Sequence, residues 1–332
     1  MQHATSVCLA NSVTSWDPGV DLDFELDDDQ REILGAVEAL LERYAGPARA
    51  IGLARNVEYD HALDAALAEA GFDAVLDPNS RDGALNATLI VEAIARAAGV
   101  TSFAAHALVG PAVAGRVLPG PVALGAGGAE MPLRFGLQAR SVLWLDGEEA
   151  RVAILEEGEA DAVPSNFGYP LGRVSSAAME RGESLGPGSG ERLRSWWRIG
   201  VTAEAVGTMS AALDQTVAYL KERKQFGRAI ASFQAVQHRL AECAVRVEGS
   251  RWLVYEAAFQ QAPEEASACA AAYALESARL VFRETHQLSG AIGFTRDHDL
   301  HVWSMRLQAL GSELSGAPGH RRALAAARWG TS

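Results

Sequence analysis

Lysine is nearly absent: of 29 basic residues only Lys221 and Lys224 are lysines, and both flank Arg223 in one short segment. Cysteine is scarce as well. Cys8, Cys243 and Cys269 are odd in number, far apart and free of any C-x-x-C pair, which argues against a disulfide framework and a structural zinc site and fits a reducing cytoplasm. No apolar run approaches the roughly 18 residues of a membrane-spanning helix, so no membrane span is expected. The chain carries 42 acidic residues for a formal charge of −13 and a pI near 5.1, a mean field that repels nucleic acid and anionic lipid. There is no G-x-S-x-G and no P-loop, which leaves hydrolase and nucleoside-triphosphatase chemistry without support. The segment up to Asp21 has neither Lys nor Arg and no sustained apolar stretch, so it does not read as a secretory signal; residues 1–24 are expected to be a flexible extension.

What is present is 332 residues, 48% hydrophobic and 21% charged, enough for two or three domains of a packed, mostly α protein. In LDDDQREILGAVEALLERYAG, apolar side chains at Ile33, Leu34, Val37, Leu40, Leu41 and Tyr44 follow helical spacing after an acidic first turn, and Gly46-Pro47 stops the helix. Further helices are expected from about Asp60 to Gly71, from about Asn86 to Gly99 and from Ser102 to Gly115, making residues 25–117 an N-terminal helical domain. From 118 to 190 glycine and proline become frequent and SVLWLDGEEARVAIL predicts two strands around an Asp146-Gly147 turn, a reduced middle β segment. ERGESLGPGSGE, at 180–191, reads as an exposed linker. Residues 191–332 predict long helices over about 196–222, 233–261 and 263–289 and a shorter one after Asp297, an antiparallel bundle.

Two motifs lie in that bundle. YLKERKQFGRAIASFQ contains R-x-x-F-G (Arg223, Phe226, Gly227) with Gln234 eight residues after the Phe, and HQLSGAIGF contains Gln287, Gly290, Gly293 and Phe294, followed by Arg306. An arginine fork grips phosphate oxygens in two places and stays charged, the lysines add positive charge, and Gly227 permits a sharp turn. Phe226 is expected to anchor the turn in the core, and Ser232 to cap the following helix so that its N-terminus joins an anion site. Both motifs resemble those of the acyl-CoA dehydrogenases. The resemblance implies that family's fold, with a C-terminal four-helix bundle, and implies FAD contacts at Arg223, Gln225, Phe226, Gln234, Gln287 and Gly290. Ala291 stands where the family has its second glycine.

Family members remove the α-proton of an acyl-CoA with a glutamate while the flavin takes the β-hydride. Of the family's two positions for that base, one, nine residues after the arginine matched to Arg306, is Ser315 here; the other, just before the arginine matched to Arg198, is Trp197. No catalytic residue is therefore assigned. Glu313 and Glu204 lie nearby as displaced candidates, but a two-residue offset turns a helical side chain by about 200°, so Glu313 is expected to point away and both to be helix-surface residues. The family's T-E-P-x-x-G-S-D and W-[IV]-[ST]-N stretches are missing from the middle segment, where Trp144 reads as core.

Keeping the half of the site that one subunit lends its neighbour, and losing the half with ring pocket and base, resembles the short subunit of the α2β2 acyl-CoA dehydrogenases that actinobacteria use on steroid side chains. A shared FAD, a larger base-carrying partner and a bulky acyl-CoA held mainly by that partner are what this implies. The alternatives are a self-sufficient flavoenzyme of the same fold, either a dehydrogenase with a displaced base or a flavin monooxygenase, and a cofactor-free scaffold. Gly125-Ala-Gly127-Gly128-Ala-Glu130 reads as a loop because Glu130 replaces the last glycine of a dinucleotide motif. His298 and His301 lack further ligands in sequence, so no metal site is assigned and a solvated helix start is expected.

Overall fold

The computed structural model describes residues 25–75 and 81–330, and the extension expected at 1–24 lies outside them. Helix α1 (Asp28–Tyr44) begins with a capping box: the Asp27 carboxylate accepts the Gln30 N–H at 2.7 Å while the Gln30 side chain accepts the Asp27 N–H at 3.0 Å. Gly46-Pro47 ends that helix and also starts another, α2 (Pro47–Asn56), which periodicity did not separate, because proline suits the first helical turn as well as it breaks a preceding one. Asp60 caps α3 (His61–Glu69) and is gripped by Arg49. Then come α4 (Arg81–Arg96), a π-helical turn over Ala104–Val109, and α5 (Gly110–Ala114). Val37, Leu41, Leu63, Leu67, Ile90 and Ile94 close one apolar core among them.

The middle segment holds more strand than alternation revealed, because most of its strands are only two to four residues long. The predicted hairpin is present as β3 (Ser141–Asp146) and β4 (Glu149–Ile154), paired antiparallel across Asp146↔Glu149. Parallel β1 (Val122–Gly125) joins β3, so Gly125 belongs to a strand end rather than to the loop expected from it. A second sheet orders β2 (Leu133–Arg134), β6 (Leu171–Val174) and β5 (Ala160–Val163), followed by α6 (Ser176–Glu180). Trp144 is buried between Val142, Met179 and their neighbours, as core. The stretch read as an exposed linker is anchored instead: β7 (Glu183–Ser184) pairs with β4, and the buried Ser189 hydroxyl accepts the Ala150 N–H at 2.8 Å. Its glycines serve turns against the sheet rather than slack.

Helix α7 (Ser189–Glu222) is the axis of the molecule, about 50 Å long at 1.5 Å per residue. Leu193, Ile199, Met209 and Leu220 are fully buried on it, and so are residues on its other faces, because α4, α9 and α10 all pack against it. A hairpin of β8 (Lys224–Gln225) and β9 (Arg228–Ala229) leads to α8 (Gln234–Phe259) and α9 (Glu264–Ser289). Helix α10 (Leu300–Leu310) lies on α7, and α11 (Gly316–Trp329), which periodicity left unresolved, lies on α9.

The helical domain meets the bundle closely at Gly207, where an added Cβ would stand 2.1 Å from the Glu92 carbonyl oxygen. Gly207→Ala is therefore expected to lower stability by about 1–3 kcal/mol through overpacking, whereas Gly200→Ala, whose Cβ would meet only side chains at 3.5 Å and beyond, should be neutral or stabilising. Urea midpoints of the two variants check this.

Candidate functional site

Helices α7, α8 and α9 alternate in direction, so the C-terminus of α7, the N-terminus of α8 and the C-terminus of α9 meet at one end of the bundle. Arg239 on α8 pairs with Glu284 on α9 there. Arg223 is the residue at which α7 stops, and its carbonyl accepts the Ile230 N–H at 2.9 Å to close the hairpin. The two turn residues, Phe226 (φ 54°) and Gly227 (φ 78°), both have positive φ, as a two-residue hairpin with the right twist requires. Glycine accepts this freely, but phenylalanine is strained in it.

Phe226 does not anchor the turn in the core as expected; it is 90% exposed, edge-on to Phe233 at 6.2 Å. The Arg228 guanidinium sits over the Phe233 ring at 4.0 Å, which leaves Phe226 outside the small apolar cluster. Ser232 does not cap α8 either. Its hydroxyl donates back to the Ala229 carbonyl at 2.7 Å, so α8 starts at the exposed Gln234 with no side-chain cap. Gln225 is exposed on β8, Gln287 is exposed on the last turn of α9, and Gly290 ends that helix at φ 67°. All six residues implied as FAD contacts thus belong to this one end. Among the described residues none of Lys221, Arg223 and Lys224 has an acidic partner, so three unpaired cations gather on a chain of charge −13. Anions are the natural complement of such a cluster.

The two positions matched from sequence to the resembled family's base lie elsewhere, on a cavity of about 400 Å³ between the β segment and α7. Trp197 and Ser315 both line it, together with Arg134, Glu204 and Glu313. Neither glutamate is a surface residue as expected, and Glu313 does not point away. Glu204 and Glu313 each converge on the half-buried Arg134: its two terminal nitrogens donate to the Glu204 carboxylate at 2.8 and 2.7 Å, and its Nε stands 2.9 Å from Glu313. The Trp197 indole N–H donates to the other Glu313 oxygen at 2.5 Å. The 200° argument assumes a continuous helix, but the chain leaves α10 through Leu314 and Ser315, whose φ of 49° and 67° break it.

Arg134 reaches further. Its guanidinium faces one side of the buried Tyr169 ring at 4.9 Å and the guanidinium of Arg306 faces that ring at 4.8 Å. Arg306, only 1% exposed, donates to the Gly99 and Ala98 carbonyls at 2.9 and 3.0 Å, which tail off from α4. Arg306, noted from sequence as a motif member, is thus a positioning residue that holds α10 to the end of α4. Arg134 went unnoticed in the sequence, since nothing around MPLRFG marks it. His298 is half-buried against Tyr219 with ring centroids 5.3 Å apart, which replaces the solvated histidine expected there.

Burial opposes the charge on Arg134, but the two carboxylates beside it outweigh that cost and hold its pKa well above the ordinary arginine value. Burial likewise pushes the Glu313 carboxyl up; Arg134 pulls it back and Glu204 repels it, leaving it above the usual glutamate range. A carboxyl raised on folding favours the folded state below its unfolded pKa and loses that contribution as pH rises through its folded pKa. Relative to Glu313→Gln, the wild-type chain is therefore expected to gain stability as pH falls from neutral toward the ordinary carboxylate range, read as the difference of urea midpoints. Arg134→Met, which leaves two buried carboxylates unpaired, should cost about 3–5 kcal/mol at neutral pH and less in acid.

The family model described as acyl-CoA dehydrogenase, C-terminal domain, matches residues 194–316. The acyl-CoA dehydrogenase IpdE2 of Mycolicibacterium smegmatis is 31% identical over 309 residues, covering 87% of this chain and 96% of the relative. The solved ChsE4-ChsE5 complex from Mycobacterium tuberculosis has a chain similar at a TM-score of 0.78 and 21% identity, over 94% of this chain and 100% of that one. A Tcur3481-Tcur3483 steroid ACAD variant is similar at 0.74 and 22% identity, over 90% of this chain and 97% of that one. At such identities the solved structures bear on fold, but the likeness to IpdE2 runs nearly the whole length of both chains, and so this chain belongs to the acyl-CoA dehydrogenase family.

Proposed function

We propose that this chain is a subunit of an FAD-dependent acyl-CoA dehydrogenase and that it completes the cofactor site of a larger partner, which carries the catalytic glutamate, in an α2β2 complex. The observation that carries the proposal is the separation of two features. Unpaired cations and a strained, exposed Phe226 gather at one end of the bundle, while Trp197 and Ser315 occupy both base positions on the cavity. Strain in an exposed aromatic is the kind of outlier that a binding contact explains. The ChsE4-ChsE5 assembly, named as a complex of two components, supports a heteromer, and the steroid ACAD supports a steroid side-chain acyl-CoA as substrate. A cytoplasmic enzyme fits the cysteine usage.

The residues at the bundle end fit FAD. Arg223 offers a bidentate fork to the pyrophosphate, Lys221 and Lys224 add charge, and the uncapped first N–H groups of α8 point the positive end of that helix outward. Gln225, Gln234 and Gln287 supply neutral donors and acceptors, Phe226 an apolar face, and Gly290, with no atom within 4 Å of an added Cβ, room for close approach. When bound, FAD supplies the hydride acceptor for α,β-dehydrogenation of the thioester. Neither Trp197 nor Ser315 takes up the α-proton as a carboxylate does, so that step falls to the partner, which also holds most of the acyl-CoA.

Co-expression with a full-length homologue is expected to yield a yellow heteromer. Arg223→Ala on this chain should lower the complex's flavin affinity by about 10–100-fold, the loss of a charged hydrogen-bonding group, read from the ratio of flavin to protein absorbance. Retained flavin would count against a shared site, and normal acyl-CoA turnover by this chain alone would overturn the non-catalytic assignment. The second reading, a self-sufficient flavoenzyme, is favoured by one observation: the Glu313 carboxylate lies in the cavity between Trp197 and Ser315. It requires a yellow homo-oligomer from this chain alone. A complex that stays colourless would instead indicate a cofactor-free scaffold.

A further inference from the structure

The cavity has a polarity of its own. Its walls are aliphatic, from Val109, Val122, Leu133, Leu171 and Val201, and its charged groups sit together on one side, with exposed Ala126, Met131 and Ser312 at the rim. Two carboxylates face one guanidinium there, which leaves one net negative charge. The four carboxylate oxygens have about eight acceptor sites, and four donated bonds reach them, three from Arg134 and one from the Trp197 indole. The site is therefore rich in acceptors and its principal donors are already engaged. A thioester carbonyl needs the opposite, donors aimed at its oxygen.

We propose that this cavity binds a small aliphatic molecule that ends in a hydrogen-bond donor, its hydrocarbon body against the aliphatic walls and its hydroxyl or ammonium group on the Glu204 and Glu313 carboxylates. The volume suits a ligand of one or two rings, within the range of small-molecule pockets. An ionised carboxylic acid would set a third carboxylate beside Glu204 and Glu313, and the side-chain donors left for an ester or thioester carbonyl are hydroxyls such as that of Ser315. An alcohol fills acceptor sites that are otherwise open; an ammonium group does so and also cancels the excess charge. None of this depends on whether the bundle end lends residues to FAD, which lies on separate elements.

The full chain, labelled with ¹⁵N at tryptophan, tests the proposal at neutral pH with cyclohexylmethanol, cyclohexylmethylamine and cyclohexanecarboxylate as probes. The readout is the indole N–H signal of Trp197, identified by its loss in Trp197→Phe. The alcohol or the amine is expected to move that signal saturably, with a midpoint at least about tenfold below that of the carboxylate. Binding of the amine alone identifies the excess charge as the attraction; binding of the alcohol alone identifies the open acceptors. Glu204→Gln should weaken the amine by about tenfold. Ala126→Trp, on the exposed rim and away from the charged groups, should abolish the response and serves if Glu204→Gln does not fold. A carboxylate that binds as well as the other two overturns the proposal, as does a Trp197 signal unmoved by alcohol and amine at about 10 mM, weaker than millimolar affinity.

Discussion

Arg134 is the point on which the parts of this molecule depend. It stands on a two-residue strand of the β segment, yet its donors end on Glu204 of the central helix and on Glu313 beyond α10. Its guanidinium and that of Arg306 both lie over the Tyr169 ring, and Arg306 in turn holds the carbonyls that follow α4. One chain of contacts thus crosses the helical domain, the β segment and the bundle. The constraint is electrostatic: charges taken out of water must meet partners with good geometry, and only one relative placement of the three parts satisfies all of them. Hydrophobic burial brings the parts together, but it is non-directional and tolerates sliding; the buried ions do not.

This constraint also explains the separation of the two functional regions. Inside the cavity Arg134 is matched, with a carboxylate in excess, whereas at the bundle end Lys221, Arg223 and Lys224 form no ion pair among the described residues. The first region is suited to hold something that donates, the second to hold an anion. The two positions matched to the family's base from sequence, Trp197 and Ser315, line that cavity with an indole and a hydroxyl. The indole takes part in the ion network by donating to Glu313, so the replacement at Trp197 is built into the packing of the cavity.

Much of the architecture was legible because it is local. Helical periods and the Asp146-Gly147 turn act within a few residues, as do the capping box at Asp27 and the cap at Asp60; the first helix and the hairpin formed where expected, while α4 begins at Arg81 rather than near Asn86. What escaped was either too short to show a period, as with β2, β5, β6 and β7, or ambiguous between two local roles, as with Pro47 and the 180–191 stretch. Exposure was the weakest inference. Phe226 was expected inside because it is aromatic, but a two-residue hairpin turn has no neighbour on its outer side, and Phe233 with Arg228 already forms the cluster beneath it.

The site divides along the same line. Arg223, Phe226, Gly227, Gln234, Gln287 and Gly290 sit in two short runs, so their residue types and spacing determined a sharp cationic turn, a helix start and a glycine stop, and they carry the resemblance to the family. The cavity was decided by the tertiary structure. Arg134 and Glu204 are separated by 70 residues and Trp197 and Glu313 by 116, and no local pattern brings them together. Helix α7 is packed on several sides, so its apolar residues mark no single face and Glu204 reads as surface; Glu313 stands just before the break at Leu314 and Ser315, where helical spacing no longer holds. Backbone hydrogen bonds and turn angles are settled between near neighbours, whereas which charges lose their water, and which partner then answers them, is settled only when distant segments pack.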